Sequence, residues 1–299
     1  MRLKKLYTMK PIITATELSE IFNQENLVIL DARTGKDARE NYLQNHIKGA
    51  RFIDLDKDLA EIGEDAAFGG RHPLPKISKF AETLQKLGIS EDSHIVVYDT
   101  SNGANAAARC WWMLKSFGVE KVQVLSGGFK TAEKTGIPLK SGEKLFEKTS
   151  FILKENWSWP ISTLEDVEKE IAENSATVID VRDSYRYKGE SEPIDLVAGH
   201  IPGAINIPFS ENLDENGAFL SPETLKEKYH NLLSDASTPL SMTKKLIIHC
   251  GSGVTACHTI LALNYAGFVT LSTDRKSADE VLEVPNLYVG SWSEWSRRE

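Results

Sequence analysis

The chain repeats itself, and the repeat limits its possible folds more than any other feature of the sequence. Thr14-Ala15-Thr16-Glu17 reads as a capping box that opens a helix, and Ser162-Thr163-Leu164-Glu165 reads as a second. Leu27-Val28-Ile29-Leu30 and Thr177-Val178-Ile179 are short apolar runs of the buried-strand type, followed by Asp31-Ala32-Arg33 and Asp180-Val181-Arg182. His46-Ile47-Lys48-Gly49-Ala50 is answered by His200-Ile201-Pro202-Gly203-Ala204, each leading into a strand-like segment, Arg51–Ile53 and Ile205–Ile207. A later strand, Ile95 to Tyr98, is answered by Leu246 to His249. Asp31 and Asp99 lie 68 positions apart, Asp180 and Cys250 lie 70 apart, and order, spacing and motif text agree in both halves. This is a duplicated domain. Alternating strands and helices in each copy predict an α/β chain of two tandem domains, each a mainly parallel sheet with helices on both faces. The spacing places the copies at 10–140 and 161–299. A polar linker at 141–160 ends in Trp157-Ser158-Trp159-Pro160, whose tryptophans are expected to pin it to a domain. A length of 299 residues suits two domains of about 150.

Within the second copy the stretch Lys244 to Leu263, KKLIIHCGSGVTACHTILAL, carries the chemistry. Leu246-Ile247-Ile248 reads as a buried strand and Thr255 to Leu263 has helical apolar spacing, with Cys250-Gly251-Ser252-Gly253-Val254-Thr255 as a loop between them. Such a loop turns its N–H groups into one concavity at the positive end of the helix dipole. Cys250 is the first residue off the strand, expected at the rim of that concavity, where amide dipoles favour the thiolate. It reads as a nucleophile in an anion-binding loop. Cys110 and Cys257 sit inside apolar helical patterns and read as core packing.

The two copies differ where the chemistry lies. The first has Asp99 at the place of Cys250, and a carboxylate neither replaces a thiolate nucleophile nor welcomes anions. One copy is therefore read as catalytic and the other as a wall of the cleft. Asp31 with Arg33, and Asp180 with Arg182, read as structural salt links past strand ends. His46 and His200 read as turn anchors, because the histidine persists in the copy that lacks the cysteine. His249, next to Cys250 on the strand, points to the opposite face. Arg186, in Tyr185-Arg186-Tyr187-Lys188-Gly189, lies in a loop after the strand ending at Asp180. In a parallel sheet that loop shares an edge with the Cys250 loop, so its guanidinium is placed to hold a carboxylate or sulfonate.

Composition excludes several classes. With 35 basic against 43 acidic residues, a net charge of −8 argues against nucleic acid or an anionic membrane as partner. Three cysteines make no disulfide framework. Met1 to Leu6 is basic but lacks the apolar run of a signal peptide, and no stretch is long enough to span a bilayer, so a reducing cytoplasm is expected. Cys250, Cys257 and His258 do not give a zinc spacing. No dinucleotide fingerprint or P-loop is present, so no metal and no cofactor are expected.

Cys250 to Ala256, the paired His-Ile-x-Gly-Ala segments and Leu287-Tyr288-Val289-Gly290-Ser291-Trp292-Ser293-Glu294-Trp295 together resemble a tandem-domain sulfurtransferase of the rhodanese superfamily, over nearly the whole chain after Met9. The resemblance implies two rhodanese-like domains, the first inactive. It also implies that Cys250 takes sulfane sulfur from a small anionic donor, becomes a persulfide, and passes the sulfur to a thiol, cyanide or a thioredoxin-like acceptor. Gly251-Ser252 after the cysteine resembles the 3-mercaptopyruvate enzymes of that family; thiosulfate enzymes usually carry Arg-Lys there. The resemblance further implies Ser252 as a proton-relaying hydroxyl, Arg186 as the carboxylate-binding arginine, and Gly251, Gly253, Val254 and Thr255 as the amide cradle. Asp56 and His72 are implied as cleft residues lent by the inactive domain. One departure concerns the donor: mercaptopyruvate enzymes usually have a second arginine near the end of the Arg186 segment, where this chain has Asp195. Thiosulfate as donor stays open beside 3-mercaptopyruvate. A non-catalytic persulfide carrier stays open because it needs the same cysteine. A cysteine phosphatase is disfavoured, since the arginine required six positions after the cysteine is Ala256.

Overall fold

Every strand-like run that the repeat aligns is a strand in the computed structural model, which describes residues 9–150, 154–234, 245–269 and 283–297. Met1 to Leu6, residues 151–153 of the expected linker, Lys244 and the last two positions of the chain lie outside those residues. Among the described residues one sheet runs Ile12–Ile13, Val122–Leu125, His94–Tyr98, Leu27–Asp31, Arg51–Phe52, with every neighbouring pair parallel. The other runs Ile161–Ser162, Asn286–Tyr288, Lys245–His249, Ala176–Asp180, Ile205–Asn206, again all parallel. The order is the same in both, and so is the register: Asp31 pairs with Tyr98, and Asp180 with His249.

Period-two alternation decides which side each strand residue faces. Ile29, Val96 and Tyr98 bury in a core on the outer face of the first sheet, and Val178, Ile247 and Tyr288 in a separate core on the outer face of the second. Val28, Leu30, Ile95 and Val97 from one sheet, and Leu246, Ile248 and Cys250 from the other, belong to a single cluster. That cluster is continuous between the halves because the helices Ala106–Phe117 and Ala256–Tyr265 are buried almost all round and lie within it. A helix without a polar face has to be covered by protein. Here each helix is covered in part by the other half.

The tryptophans before the second copy pack as expected. Trp157 and Trp159 lie against Phe80, Trp111 and Trp112, with ring centroids 5.4–6.2 Å apart. Two local expectations need correction. Thr14 and Glu17 do form a capping box, but the second box is Thr163 with Asp166, one residue later than the text suggested, because Ser162 is still in the strand. The segment around Arg186 is a one-turn helix, Ser184–Tyr187, rather than a loop. Among the described residues no helix is long and apolar enough to cross a membrane.

Candidate active site

Leu246, Ile248 and Cys250 alternate onto the side facing the first half, while His249 turns away to Asp180, with 3.9 Å between His249 Nε2 and Asp180 Oδ2. Cys250 is only 2% exposed, so it lies on the floor of the cleft and not at a rim. The turn ending in Ser291–Trp295 braces its loop from behind. The Cys250 N–H donates to Ser291 Oγ (3.2 Å), the Trp292 N–H to the Cys250 carbonyl (3.0 Å), and the Ser293 N–H to the Gly251 carbonyl (2.9 Å). Gly253 has φ +73° and lies so close to this turn that an added Cβ would meet the Val289 carbonyl oxygen at 2.6 Å. Among the described residues, the N–H groups of Gly251 to Thr255 donate to no other backbone or side chain.

What such a loop holds is visible in the sister copy. Asp99 occupies the corresponding place past the strand end, and its carboxylate fills its own loop. Oδ1 accepts from the Ser101 and Gly103 amides at 2.8 and 2.7 Å, and Oδ2 from the Asn105 and Ala107 amides at 3.1 Å each. Burial pushes the Asp99 carboxyl up, against the pull of those four amides. In the first copy the loop amides thus converge on an internal carboxylate, and the second copy has Cys250 at the corresponding position.

Around Cys250 the structure gathers the residues expected from both halves. Ser252 Oγ is 2.9 Å from His72 Nδ1, and His72 Nε2 is 3.3 Å from Asp56 Oδ1, which makes Ser252, His72 and Asp56 one polar chain across the cleft. With Nε2 donating to Asp56, Nδ1 is the acceptor for the Ser252 hydroxyl. Burial lowers the His72 pKa from the ordinary imidazole value, and Asp56 opposes that. Arg186 is fixed by Glu192, with Nη2 at 2.7 Å from Oε1, and its Nη2 also reaches Asp195 Oδ2 at 3.2 Å. A Cβ on Gly251 would stand 3.4 Å from Arg186 Nη2. The Arg186 turn and the cysteine loop therefore border one crevice.

Two arginines escaped the sequence reading. Arg71 meets Asp195 at 2.5 Å through Nη1, and its Nη2 would be 3.1 Å from a Cβ on Gly251. Arg109, fully buried, holds the cysteine loop to the first half: Nη1 donates to the Gly253 carbonyl at 3.3 Å and Nη2 to the His72 carbonyl at 3.0 Å. Neither lies near its target in the chain, so no motif displayed them. Ser291 was visible only as part of a recognised segment, with no sign that its hydroxyl would hold the Cys250 amide.

The residues given structural readings take structural places. Arg33 binds Asp31 at 2.6 Å and Arg182 binds Asp180 at 2.7 Å, all buried. His46 contacts the Tyr42 carbonyl at 2.7 Å and stacks on that ring; His200 does the same with Tyr187 at 2.8 Å. Aligning those two tyrosines puts Asn41 where the second copy has Arg186, a further difference between the halves. Burial pushes the Cys257 thiol up to about 12 and the Cys110 thiol up as well, so neither competes as a nucleophile.

Comparison with known proteins agrees with the duplication. The Rhodanese-like domain family matches twice, over residues 14–134 and 163–298. The chain belongs to the rhodanese family. Among its relatives, a protein of Pseudomonas aeruginosa named as a probable 3-mercaptopyruvate sulfurtransferase is 37% identical over 95% of this chain and 94% of its own length. A thiosulfate sulfurtransferase of Gallus gallus is 34% identical over 88% of this chain and 82% of its own. The solved structure of 3-mercaptopyruvate sulfurtransferase from Leishmania major superposes with a TM-score of 0.78 at 27% identity, covering 97% of this chain and 75% of that one. These rhodanese relatives are sulfurtransferases, and so is this chain.

Proposed function

We propose that this sulfurtransferase takes sulfur from 3-mercaptopyruvate onto Cys250 and hands it to an acceptor thiol. The observation that carries the choice of donor is the chain Ser252–His72–Asp56 beside the cysteine. Sulfite leaves thiosulfate as a stable anion and needs no proton, whereas pyruvate leaves mercaptopyruvate as a basic enolate and does. A hydroxyl–imidazole–carboxylate chain is useful only to the second reaction.

The Cys250 thiolate attacks the sulfur of the donor, an S–S bond forms, and the C–S bond breaks, leaving its electron pair on the pyruvate enolate. The proton initially on the transferred sulfur ends on the enolate carbon, and Ser252, backed by His72, carries it. No net proton is taken up: mercaptopyruvate and thiolate become pyruvate and an ionised persulfide. The amides of Gly251 to Thr255 hold the anionic sulfur in both states, as their counterparts hold the Asp99 carboxylate. Arg186 takes the donor carboxylate. An acceptor thiolate, free or on a thioredoxin-like protein, or cyanide, then attacks the outer sulfur and regenerates Cys250. The halves 10–140 and 161–299 divide this work, the first supplying His72 and Asp56. A reducing cytoplasm keeps both the thiol and its acceptor in the required state.

The neutral Gly251-Ser252 pair, and guanidinia already partnered by Glu192 and Asp195, suit a singly charged donor better than a dianion. Side-by-side kcat/KM values for 3-mercaptopyruvate and thiosulfate test the proposal. Mercaptopyruvate is expected to lead by at least about tenfold, the worth of one charge-assisted contact. A thiosulfate preference overturns the donor.

A further inference from the structure

We infer that Arg109, on the buried helix of the half without the cysteine, is the counter-charge of the anionic sulfur at Cys250 and turns the Val254 amide toward it. This rests on Cys250 as the nucleophile of the reaction proposed above, and on no particular donor.

Arg109 is a fully buried guanidinium that pairs with no carboxylate among the described residues. Nη1 donates to the Gly253 carbonyl at 3.3 Å, Nη2 to the His72 and Leu59 carbonyls at 3.0 and 3.4 Å, and the buried Nε has no partner. A buried charge left unanswered is strongly disfavoured. Burial pushes the Arg109 pKa down, and the groups that oppose this are the Cys257 and Cys250 sulfurs. Cys257, its thiol pushed up to about 12, stays protonated and donates to the same Gly253 carbonyl at 3.3 Å. Cys250 is left as the anion.

The Gly253–Val254 peptide carries the effect to the sulfur. Gly253, at φ +73°, and Asn102, at φ +64°, are each the third residue after Cys250 or Asp99, so Val254 corresponds to Gly103. The Gly103 amide donates to the Asp99 carboxylate at 2.7 Å, the shortest of the four bonds there. In a trans peptide the C=O and N–H point opposite ways. A Gly253 carbonyl held by Arg109 and Cys257 therefore sends the Val254 N–H to the other side, where its counterpart meets Asp99. A charged donor on that carbonyl also polarises the peptide and strengthens the N–H.

The other half lacks this charge. The two buried helices end alike, with the Gly118 and Val119 amides returning to the Lys115 and Leu114 carbonyls, and those of Gly267 and Phe268 to Asn264 and Leu263. Aligned at those ends, His258 stands where the first half has Arg109, and burial depresses its pKa to about 3, so it is neutral. The other charged groups around the loop are already engaged. Arg186 faces the sulfur but is answered by Glu192 and Asp195, Arg71 by Asp195, and Glu294 holds the Gly69 amide and the Tyr288 hydroxyl. His72 is held by Ser252 and Asp56, and His249 turns to Asp180. Arg109 touches no substrate; it is a positioning residue that acts through Cys250.

The pH dependence of Cys250 alkylation by iodoacetamide, a neutral reagent, tests this without a sulfur donor when followed site by site by mass spectrometry. Arg109→Met removes the charge and keeps the side-chain length, an exchange that buried charges often tolerate. It is expected to raise the midpoint by about 1–3 pH units, the usual span for one nearby opposite charge, and to keep the plateau rate at high pH. Arg109→Lys retains a charge and is expected to shift the midpoint less. A midpoint unmoved in Arg109→Met, with only the plateau changed as loosening of the loop would do, overturns the inference. So does Arg109→Lys shifted as far as Arg109→Met. A second reading needs no Arg109 variant to fold: NMR of the wild-type protein carrying isotope-labelled arginine. The Arg109 Nε–H, shielded from exchange with water, is expected to move over the same pH range as the alkylation and to stay still in Cys250→Ser. A signal that stays still in both overturns the inference. Pyruvate release by Cys250→Ser would instead refute the reaction proposed above, and the wild-type and Arg109→Met midpoints would still decide on Arg109.

Discussion

The state of His72 governs what the Ser252 hydroxyl does. Nδ1 accepts from Ser252 only while the imidazole is neutral, and burial lowers the His72 pKa from about 6.5. Pyruvate formation is therefore expected to persist at pH values below the ordinary histidine range and to fall only in more acid solution. Asp56 opposes the lowering, so Asp56→Asn is expected to shift the acid limb of kcat/KM to still lower pH; a shift to higher pH would remove His72 from the relay. Ser252→Ala is expected to reduce kcat for mercaptopyruvate about a hundredfold, within the usual span for one proton-transfer group. Its effect on thiosulfate turnover, where no proton is needed, is expected to be small, and equal losses on both donors would refute the relay.

Among the elements, the turn at Val289–Glu294 ranks with the cysteine loop. It supplies Ser291 and two amides to the loop and leaves no room for a side chain at Gly253. Gly253→Ala forces a left-handed residue against the Val289 carbonyl, and is expected to cost about 1–2 kcal/mol for the backbone alone; chemical denaturation measures it, and an unchanged midpoint contradicts this packing. Local text carried much of this site. A strand end, two glycines and a helix are contiguous, so Cys250 and its cradle were legible, and the Asp99 exchange marked the silent copy. The depth of Cys250 was not, because residues beside its loop come from far along the chain, such as Arg71, 124 positions from its partner Asp195. The second capping box slipped by one residue because Thr163 and Asp166 satisfy the same pattern as Ser162 and Glu165, and only the end of the strand decides between them. The fold class itself was legible because duplicated, alternating strands and helices imply parallel sheets covered on both faces. Contacts between the copies have no such rule.

The whole molecule is joined through two helices that neither half covers alone. His258, on one of them, is buried with the rings of Phe209 and Phe219 at 5.7 and 4.6 Å, and Phe219 in turn bonds Ser126 of the first half. Burial depresses the His258 pKa to about 3. The unfolded chain takes up that proton first, so its contribution to stability is complete above about pH 6.5 and is lost as the pH falls toward 3, by at most about 1.4 kcal/mol per unit. His258→Gln is expected to flatten the acid slope of the melting temperature between pH 6.5 and 4, and an unchanged slope contradicts the assignment. Residues 161–299 expressed alone would expose the apolar helix and lack His72, Asp56 and Arg71; they are expected to aggregate and to release no pyruvate, and a soluble, active fragment would contradict the shared core. Sulfur transfer by this protein turns on the sulfur atom at Cys250. The protein treated with 3-mercaptopyruvate in the absence of an acceptor should gain one sulfur atom on Cys250, matched by one pyruvate released. Pyruvate without sulfur on Cys250, or the same gain in Cys250→Ser, would contradict it.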